Sequence, residues 1–295
     1  MSEIKGKKIK LISWNMKTFR ENEENLKKNE VINSFLKSDT NTIVVLQEVK
    51  SNLEENLKVD ENEKKTIKYF ENFSNTRAFF KTVIITKLKD LNVTVKKVDN
   101  KDKVNYVNRY VKIEVKEKVK EKEKEGKTIL SILGLHAKDA KVLGEWLESE
   151  TEKIVEVEEI VENNDENNDA GNKKRLRVIK EEKEYYKPDI MIGDFNSGNY
   201  LKKDEDRDVK INRAAYQKVS TGYIDVCQGM YTRGTAEAEA TQIDHILIKN
   251  SKEVWDKIEV KNPSCGYKEV LCEEKEKDFN GLSDHLPISC EIIFK

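Results

Sequence analysis

Short apolar segments recur along this chain, and a polar residue with chemistry of its own follows or closes many of them. The segments span 9–13, 42–46, 82–86, 110–115, 128–135, 189–192, 243–248 and 287–294. Near their ends stand Asn15, Glu48, His136, Asp194 with Asn196, Asp244, and Asp284 with His285. The chain holds 3 histidines, and all of them fall in these places. Strands of this length with β-branched residues, alternating in part with charged ones as at Val111, Ile113 and Val115, require sheets. If the polar ends share one rim of those sheets, they form a pocket of oxygen donors and imidazoles.

Helical periodicity lies between the strands. Leu26, Val31, Ile32, Phe35 and Leu36 suit one helix face. Leu143, Trp146, Leu147, Ile154 and Val161 suit another, within roughly 137–162. The segment 116–127 reads as a solvated hairpin tip, 163–172 as a surface loop, and 202–210 as another. No internal repeat or Pro/Ser-rich linker divides the 295 residues. The expectation is one α+β domain over 1–295, with surface insertions near 116–127 and 163–187.

Charge excludes a general polyanion binder. Charged residues make up 38% of the chain, yet the formal net charge is -1, so any contact with nucleic acid must be local. No secretory signal and no apolar run long enough for a membrane span are visible. The cysteines at 227, 265, 272 and 290 form no C-x-x-C pair or metal cluster, and they read as thiols of a reducing cytoplasm. A Cys265–Cys272 disulfide is open on spacing. Localisation is expected to be cytoplasmic.

The donor set decides the chemistry expected of the pocket. Glu48, Asp194 and Asp284, with the carboxamides of Asn15 and Asn196, are hard oxygen donors suited to Mg²⁺, Mn²⁺ or Ca²⁺, whereas zinc would want clustered Cys and His. Asp194 and Asn196 are two apart, so extended backbone points both the same way. A divalent ion beside imidazoles suits attack of water on a phosphate ester. Asp244 is the natural orienting partner for His285. His245 alternates away from Asp244 on the same strand and reads as core or lid packing.

In this order the motifs "SWN", "LQEV", "LHA", "GDFN", "ID" and "SDHLP", spanning 13–287, resemble the endonuclease/exonuclease/phosphatase superfamily, and within it deoxyribonuclease I. The resemblance implies a four-layer α/β/β/α sandwich of two mostly antiparallel sheets flanked by helices, with the site at one rim. It implies a Mg²⁺-dependent phosphodiesterase acting on nucleic acid, with a DNA endonuclease favoured. "QEVKS" at 47–51 resembles Q-E-V-R-D-S, with Lys50 where an arginine contacts DNA. Arg109 stands where a phosphate-contacting arginine precedes a strand. "LHAKDA" makes His136 the counterpart of a catalytic histidine. Two departures stand out. The family's Glu-Arg pair, whose carboxylate supports that histidine, is replaced by Thr76-Arg77, and Arg233 stands where several relatives carry Trp.

The resulting assignment gives each residue a role. Glu48, helped by Asn15, holds the principal ion, and Asp284 serves a second. Asp194 and Asn196 position water and phosphoryl oxygens. His285, oriented by Asp244, is general base or charge stabiliser, and His136 contacts a phosphoryl oxygen or acts as acid. Arg109 and Lys50 hold the substrate backbone. The same site chemistry would serve a phosphatase or phospholipase-type hydrolase of inositol phosphates or sphingomyelin, because rim loops decide substrate. The missing glutamate also fits a weakened member of the superfamily that binds without cutting.

Overall fold

A computed structural model of the chain describes residues 4–17, 22–37, 41–49, 53, 57, 66–71, 81–96, 109–118, 126–149, 152–153, 183–184, 187–200, 207–233, 241–271 and 282–295. Lys50, Thr76, Arg77, Cys272 and the 163–172 loop lie outside these residues.

Two six-stranded sheets face each other. The first contains β1 (Lys8–Asn15), β2 (Asn41–Val49), β3 (Ile67–Glu71), β4 (Lys81–Lys87), β13 (Ile258–Cys265) and β14 (Ile288–Phe294), in the order β13-β14-β1-β2-β4-β3. The second contains β5 (Leu91–Lys96), β6 (Tyr110–Glu117), β7 (Thr128–His136), β10 (Ile190–Tyr200), β11 (Tyr223–Asp225) and β12 (Thr241–Lys249), in the order β11-β12-β10-β7-β6-β5. Among the described residues only β1 with β2, and β7 with β10, pair in parallel, so both sheets are mostly antiparallel. A two-stranded ribbon joins β8 (Glu152–Lys153) to β9 (Lys183–Glu184).

Alternation along the strands builds three cores. Ile9, Leu11, Ile43, Val45 and Ile84 of the first sheet meet Val111, Ile113, Ile132, Ile190, Ile192, Ile246 and Ile248 of the second. The opposite face of the first sheet, with Ile12, Trp14, Val44, Leu46 and Ile85, is covered by α1 (Asn22–Lys37) through Val31, Ile32, Phe35 and Leu36. The opposite face of the second, with Leu133, Leu135, Met191 and Leu247, is covered by α2 (Ala140–Ser149) and α3 (Arg207–Ser220). Each buried side chain removes apolar surface from water on one side of its sheet. The expected four-layer sandwich is therefore the architecture observed.

Three local expectations change. The helix read over 137–162 ends at Ser149, and Glu152–Lys153 then pairs as strand, while Ile154 and Val161 lie outside the described residues. The segment read as a loop over 202–210 is already helical from Arg207, where dense charge hid the apolar spacing of Tyr216 and Val219 further along α3. Leu26, assigned to the apolar face of α1, is exposed.

Gly134 marks how closely the sheets approach. A Cβ there would lie 2.9 Å from both Ile84 Cδ1 and Val45 Cγ1 across the inner core. Gly134→Ala should therefore cost about 1–3 kcal/mol through overpacking, read as a lower urea midpoint with an unchanged slope. An unaltered midpoint would show that the sheets have room to spare.

Candidate active site

The alternation that buries Ile190 and Ile192 also points Asp194 inward, at the end of the sandwich. Register extends this into a row: Asp194 is paired with Asp244 on one neighbour and with His136 on the other. Asn15 continues the inner face of β1 in the opposing sheet, beyond Leu11 and Ser13. The site is thus the last layer of the inner core, with apolar side chains replaced by polar ones.

Two bulges aim what alternation alone would not. The pairing of β2 with β4 shifts between Leu46 and Val49, and Glu48 there has φ +56°. Gln47 keeps the inward position and donates to Ser13 Oγ at 3.0 Å. The left-handed turn at Glu48, costly for a non-glycine residue, brings its carboxylate to 3.4 Å from Asn15 Nδ2 and 3.7 Å from His136 Nε2. The second shift lies in β10 between Asp194 and Asn199, where Asn196 has φ +47°. Just before it, Gly193 has φ +147°, and a Cβ there would overlap the Leu135 carbonyl oxygen. Only glycine lets β7 and β10 approach this closely beside Asp194.

Asp194 is almost fully buried and is the meeting point of the cluster. Its Oδ2 accepts from Asn15 Nδ2 at 2.9 Å and lies 3.8 Å from His136 Nε2 and 3.9 Å from His285 Nε2. Its Oδ1 accepts the Asn196 backbone N–H at 2.7 Å. Burial and the charge of Asp244 raise its pKa to about 6, against the pull of His285, Asn15 and the Asn196 N–H. Asn196 Nδ2 donates to the Ala137 carbonyl at 2.9 Å, which fixes its carboxamide.

His285 is set by the turn before β14. Ser283 Oγ donates to the Asn15 carbonyl at 2.7 Å and accepts the His285 N–H at 3.1 Å. Trp14 Nε1 donates to the His285 carbonyl at 3.2 Å. His285 Nδ1 donates to Asp244 Oδ2 at 2.9 Å, the pairing expected from sequence, which leaves Nε2 facing Asp194. Thr232 Oγ1 in turn accepts the Asp244 N–H at 3.1 Å. Burial disfavours the imidazolium, but the charge and hydrogen bond of Asp244, then Asp194 and Asp284, outweigh it and raise the pKa to about 9. His136 goes the other way: burial, then the charges of Arg109 and His285, lower it to about 3. Among the described residues no side chain hydrogen-bonds the His136 ring. Arg109 Nη1 donates to the His136 carbonyl at 3.4 Å, and its charge is near enough to the imidazole to disfavour protonation there.

Asp284 faces a different neighbourhood. Its Oδ2 is shared by Lys17 Nζ at 2.9 Å and Arg233 Nη2 at 3.4 Å, so an ion bound there would compete with two cations. Burial raises its pKa, but the Lys17 hydrogen bond and the charges of His285, Arg233 and Lys17 prevail and hold it below the usual carboxylate range. His245 is buried in the core, with Nδ1 2.8 Å from Asp225 Oδ2 and Nε2 3.0 Å from the Ser197 carbonyl. It braces the loop after Asp194 from behind. Sequence reading missed Lys17, Asp225 and Tyr216, the last of which donates to Asp225 at 3.0 Å. The proximity of Lys17 to Asn15 was a usable signal, masked by the abundance of lysine.

A divalent cation fits this centre. The carboxylates of Asp194 and Asp244 cluster beside His285, and Glu48 adds a further carboxylate near Asn15. Packing these acids together already pushes Asp194 toward neutrality, a cost that positive charge offsets. Asn15 Oδ1 accepts the Lys17 N–H at 3.0 Å, so its amide group faces Glu48 and Asp194 and orients the two carboxylates.

No protein-family model and no curated protein sequence matches the chain. Solved structures do match. D. rerio TDP2 complexed with single strand DNA product is 14% identical, with 97% of this chain and 98% of that one covered and a TM-score of 0.52. AP endonuclease LMAP from Leishmania major is 12% identical, with 97% and 88% covered and a TM-score of 0.54. An endonuclease/exonuclease/phosphatase family protein from Bacteroides thetaiotaomicron is 12% identical, with 99% and 97% covered and a TM-score of 0.50. The fold of this chain is therefore the one that these structures share, the four-layer sandwich expected from its motifs. Among the described residues, no helix is long and apolar enough to cross a membrane.

In the metal-free protein, NMR should show His285 titrating near 9 and His136 staying neutral from pH 8 down to 5. Because the folded value of His285 lies above the ordinary 6.5, its contribution to stability is complete below 6.5 and is lost as pH rises through about 9. Asp244→Asn should return His285 toward 6.5. Titration unmoved by that change would break the Asp244–His285 pairing.

Proposed function

We propose that this chain is a member of the endonuclease/exonuclease/phosphatase superfamily that hydrolyses phosphodiester bonds of nucleic acid, DNA above all, with a divalent metal ion. One observation carries the reading: the buried Asp194 carboxylate sits 3.8 Å from His136 Nε2 and 3.9 Å from His285 Nε2, and of these two only His285 is hydrogen-bonded to an acid among the described residues, Asp244, so that burial holds one imidazole neutral while the other is protonated. Such divergence marks a site built for proton transfer and charge stabilisation, since a merely structural acid would not need it. The DNA product on D. rerio TDP2 supports nucleic acid as the substrate of this fold.

Glu48, steadied by Asn15, would hold the ion, with Mg²⁺ favoured and Mn²⁺ or Ca²⁺ as substitutes. Bound there, the ion supplies positive charge to the phosphoryl oxygens and favours ionisation of nearby acids. Asp194 has a pKa near 6, so at neutral pH it is a carboxylate able to take the attacking water's proton. Asn196 holds that water and a phosphoryl oxygen in place. His285, oriented by Asp244, presents Nε2–H to the ester oxygen on which charge develops as its bond to phosphorus breaks, and that oxygen takes the proton to leave as an alcohol. His136, kept neutral, hydrogen-bonds another phosphoryl oxygen, and Arg109 grips the substrate backbone, a role that the motif resemblance gives to Lys50 as well.

Plasmid DNA should be nicked with Mg²⁺ and left intact with EDTA. Asp194→Ala and His285→Ala should each reduce turnover about a hundredfold or more. Release of phosphate from generic monoesters without nicking would instead mark a phosphatase, and DNA binding without any hydrolysis a non-catalytic member. Nicking that survives EDTA, or both substitutions, would refute the mechanism.

A further inference from the structure

We infer that Lys17 and Arg233, joined through Asp284, form a subsite for a backbone phosphate of nucleic acid next to the phosphate being hydrolysed. The inference rests on the phosphodiesterase reading above and deepens it to a polymeric substrate.

Both cations lie on one carboxylate oxygen, Asp284 Oδ2, so the cluster has two positive charges and one negative. A surface ion pair adds little stability, and one cation would suffice for it. The second leaves a net positive charge at the edge of an acidic centre. Both side chains stay open to an incoming anion, with relative exposures of 50% for Lys17 and 46% for Arg233. Asp284 Oδ1 is buried without a hydrogen-bond partner in the described structure, so Oδ2 bears the whole interaction.

The frame behind the cations is rigid. Lys17 has φ +42°, a left-handed backbone that a lysine adopts only when held. Its N–H is taken by Asn15 Oδ1 at 3.0 Å, and its carbonyl accepts from the fully buried Lys28 Nζ at 3.0 Å. Arg233 bridges to both Thr241 and His285 in the sheet, and Leu286 N donates to the Thr232 carbonyl at 2.7 Å. Each cation is thereby fixed to a residue of the reacting centre, Lys17 through Asn15 and Arg233 through His285. Arg109 stands beside the other imidazole. Cations next to both imidazoles suit a ligand with phosphates beyond the scissile one. A single-phosphate ester would leave Lys17 and Arg233 unused. Arginine and lysine here act as charge-assisted donors to phosphate oxygen, which carries affinity and register without reading sequence.

The test compares the full chain with Lys17→Gln, Arg233→Gln and the double variant. Duplex DNA binding is measured by fluorescence anisotropy in EDTA across a KCl series. Hydrolysis with Mg²⁺ is measured on the same duplex and on bis(4-nitrophenyl) phosphate, which carries one phosphate. Each single variant should weaken binding about tenfold and reduce the slope of log Kd against log salt by about one. The ratio of kcat/KM for duplex over small diester should fall by a similar factor. Lys17→Arg and Arg233→Lys should recover most of the binding, which a folding defect would not allow. Unchanged duplex affinity and salt slope, or equal losses on both substrates, would overturn the subsite, as would failure of the wild type to bind duplex. A wild type that binds duplex but cleaves neither substrate would refute the hydrolase reading, while the salt slopes would still decide the subsite.

Discussion

Burial of the Asp194 carboxylate is the constraint around which the rest of the site is arranged. A charge in the innermost layer of a β-sandwich is costly unless dipoles and opposite charges surround it. Here Asn15 comes from one sheet, the Asn196 N–H from its own bulge, and His285 from the turn before β14. The Asp244 carboxylate, directly opposite in the ladder, makes Asp194 harder to ionise and His285 easier to protonate. A single pair of facing acids therefore drives two groups toward values useful near neutral pH.

The scaffold that permits this is built from ordinary alternation interrupted in two places. Inner-face positions of β7, β10 and β12 run from isoleucine and leucine to His136, Asp194 and Asp244 without a change of side. The bulges at Glu48 and Asn196 then turn residues that strict alternation would send elsewhere. Both have positive φ, and both neighbour the most strongly perturbed acid. Strain is concentrated where the chemistry is, and the two extensive sheets behind it bear the cost.

Much of this was legible before the fold was known, for identifiable reasons. The strand ends carrying Asn15, Glu48, His136, Asp194, Asp244 and His285 do converge, because apolar runs of that length define sheets and their ends define rims. The Asp244–His285 contact followed from the habit of a carboxylate at one strand end to orient an imidazole at another. Other features were hidden. Alternation from Val45 cannot show that Glu48 turns inward, because the bulge depends on the pairing of β2 with β4. The start of α3 was masked by charge around Arg207, and the end of α2 by apolar residues that continue the helical spacing past Ser149. In a lysine-rich chain nothing marks Lys28 as buried, since tertiary contacts alone distinguish it from a solvated lysine, and the nearness of Lys17 to Asn15 is easily lost among so many lysines.

The account stands or falls on where a divalent ion settles. Crystals soaked in Mn²⁺ and measured for anomalous scattering should show one principal peak at bonding distance from the Glu48 carboxylate, with Asp194 and Asn15 beside it. A principal peak on Asp284 that displaces Lys17 and Arg233, or occupancy only at sites remote from Asp194, would contradict it.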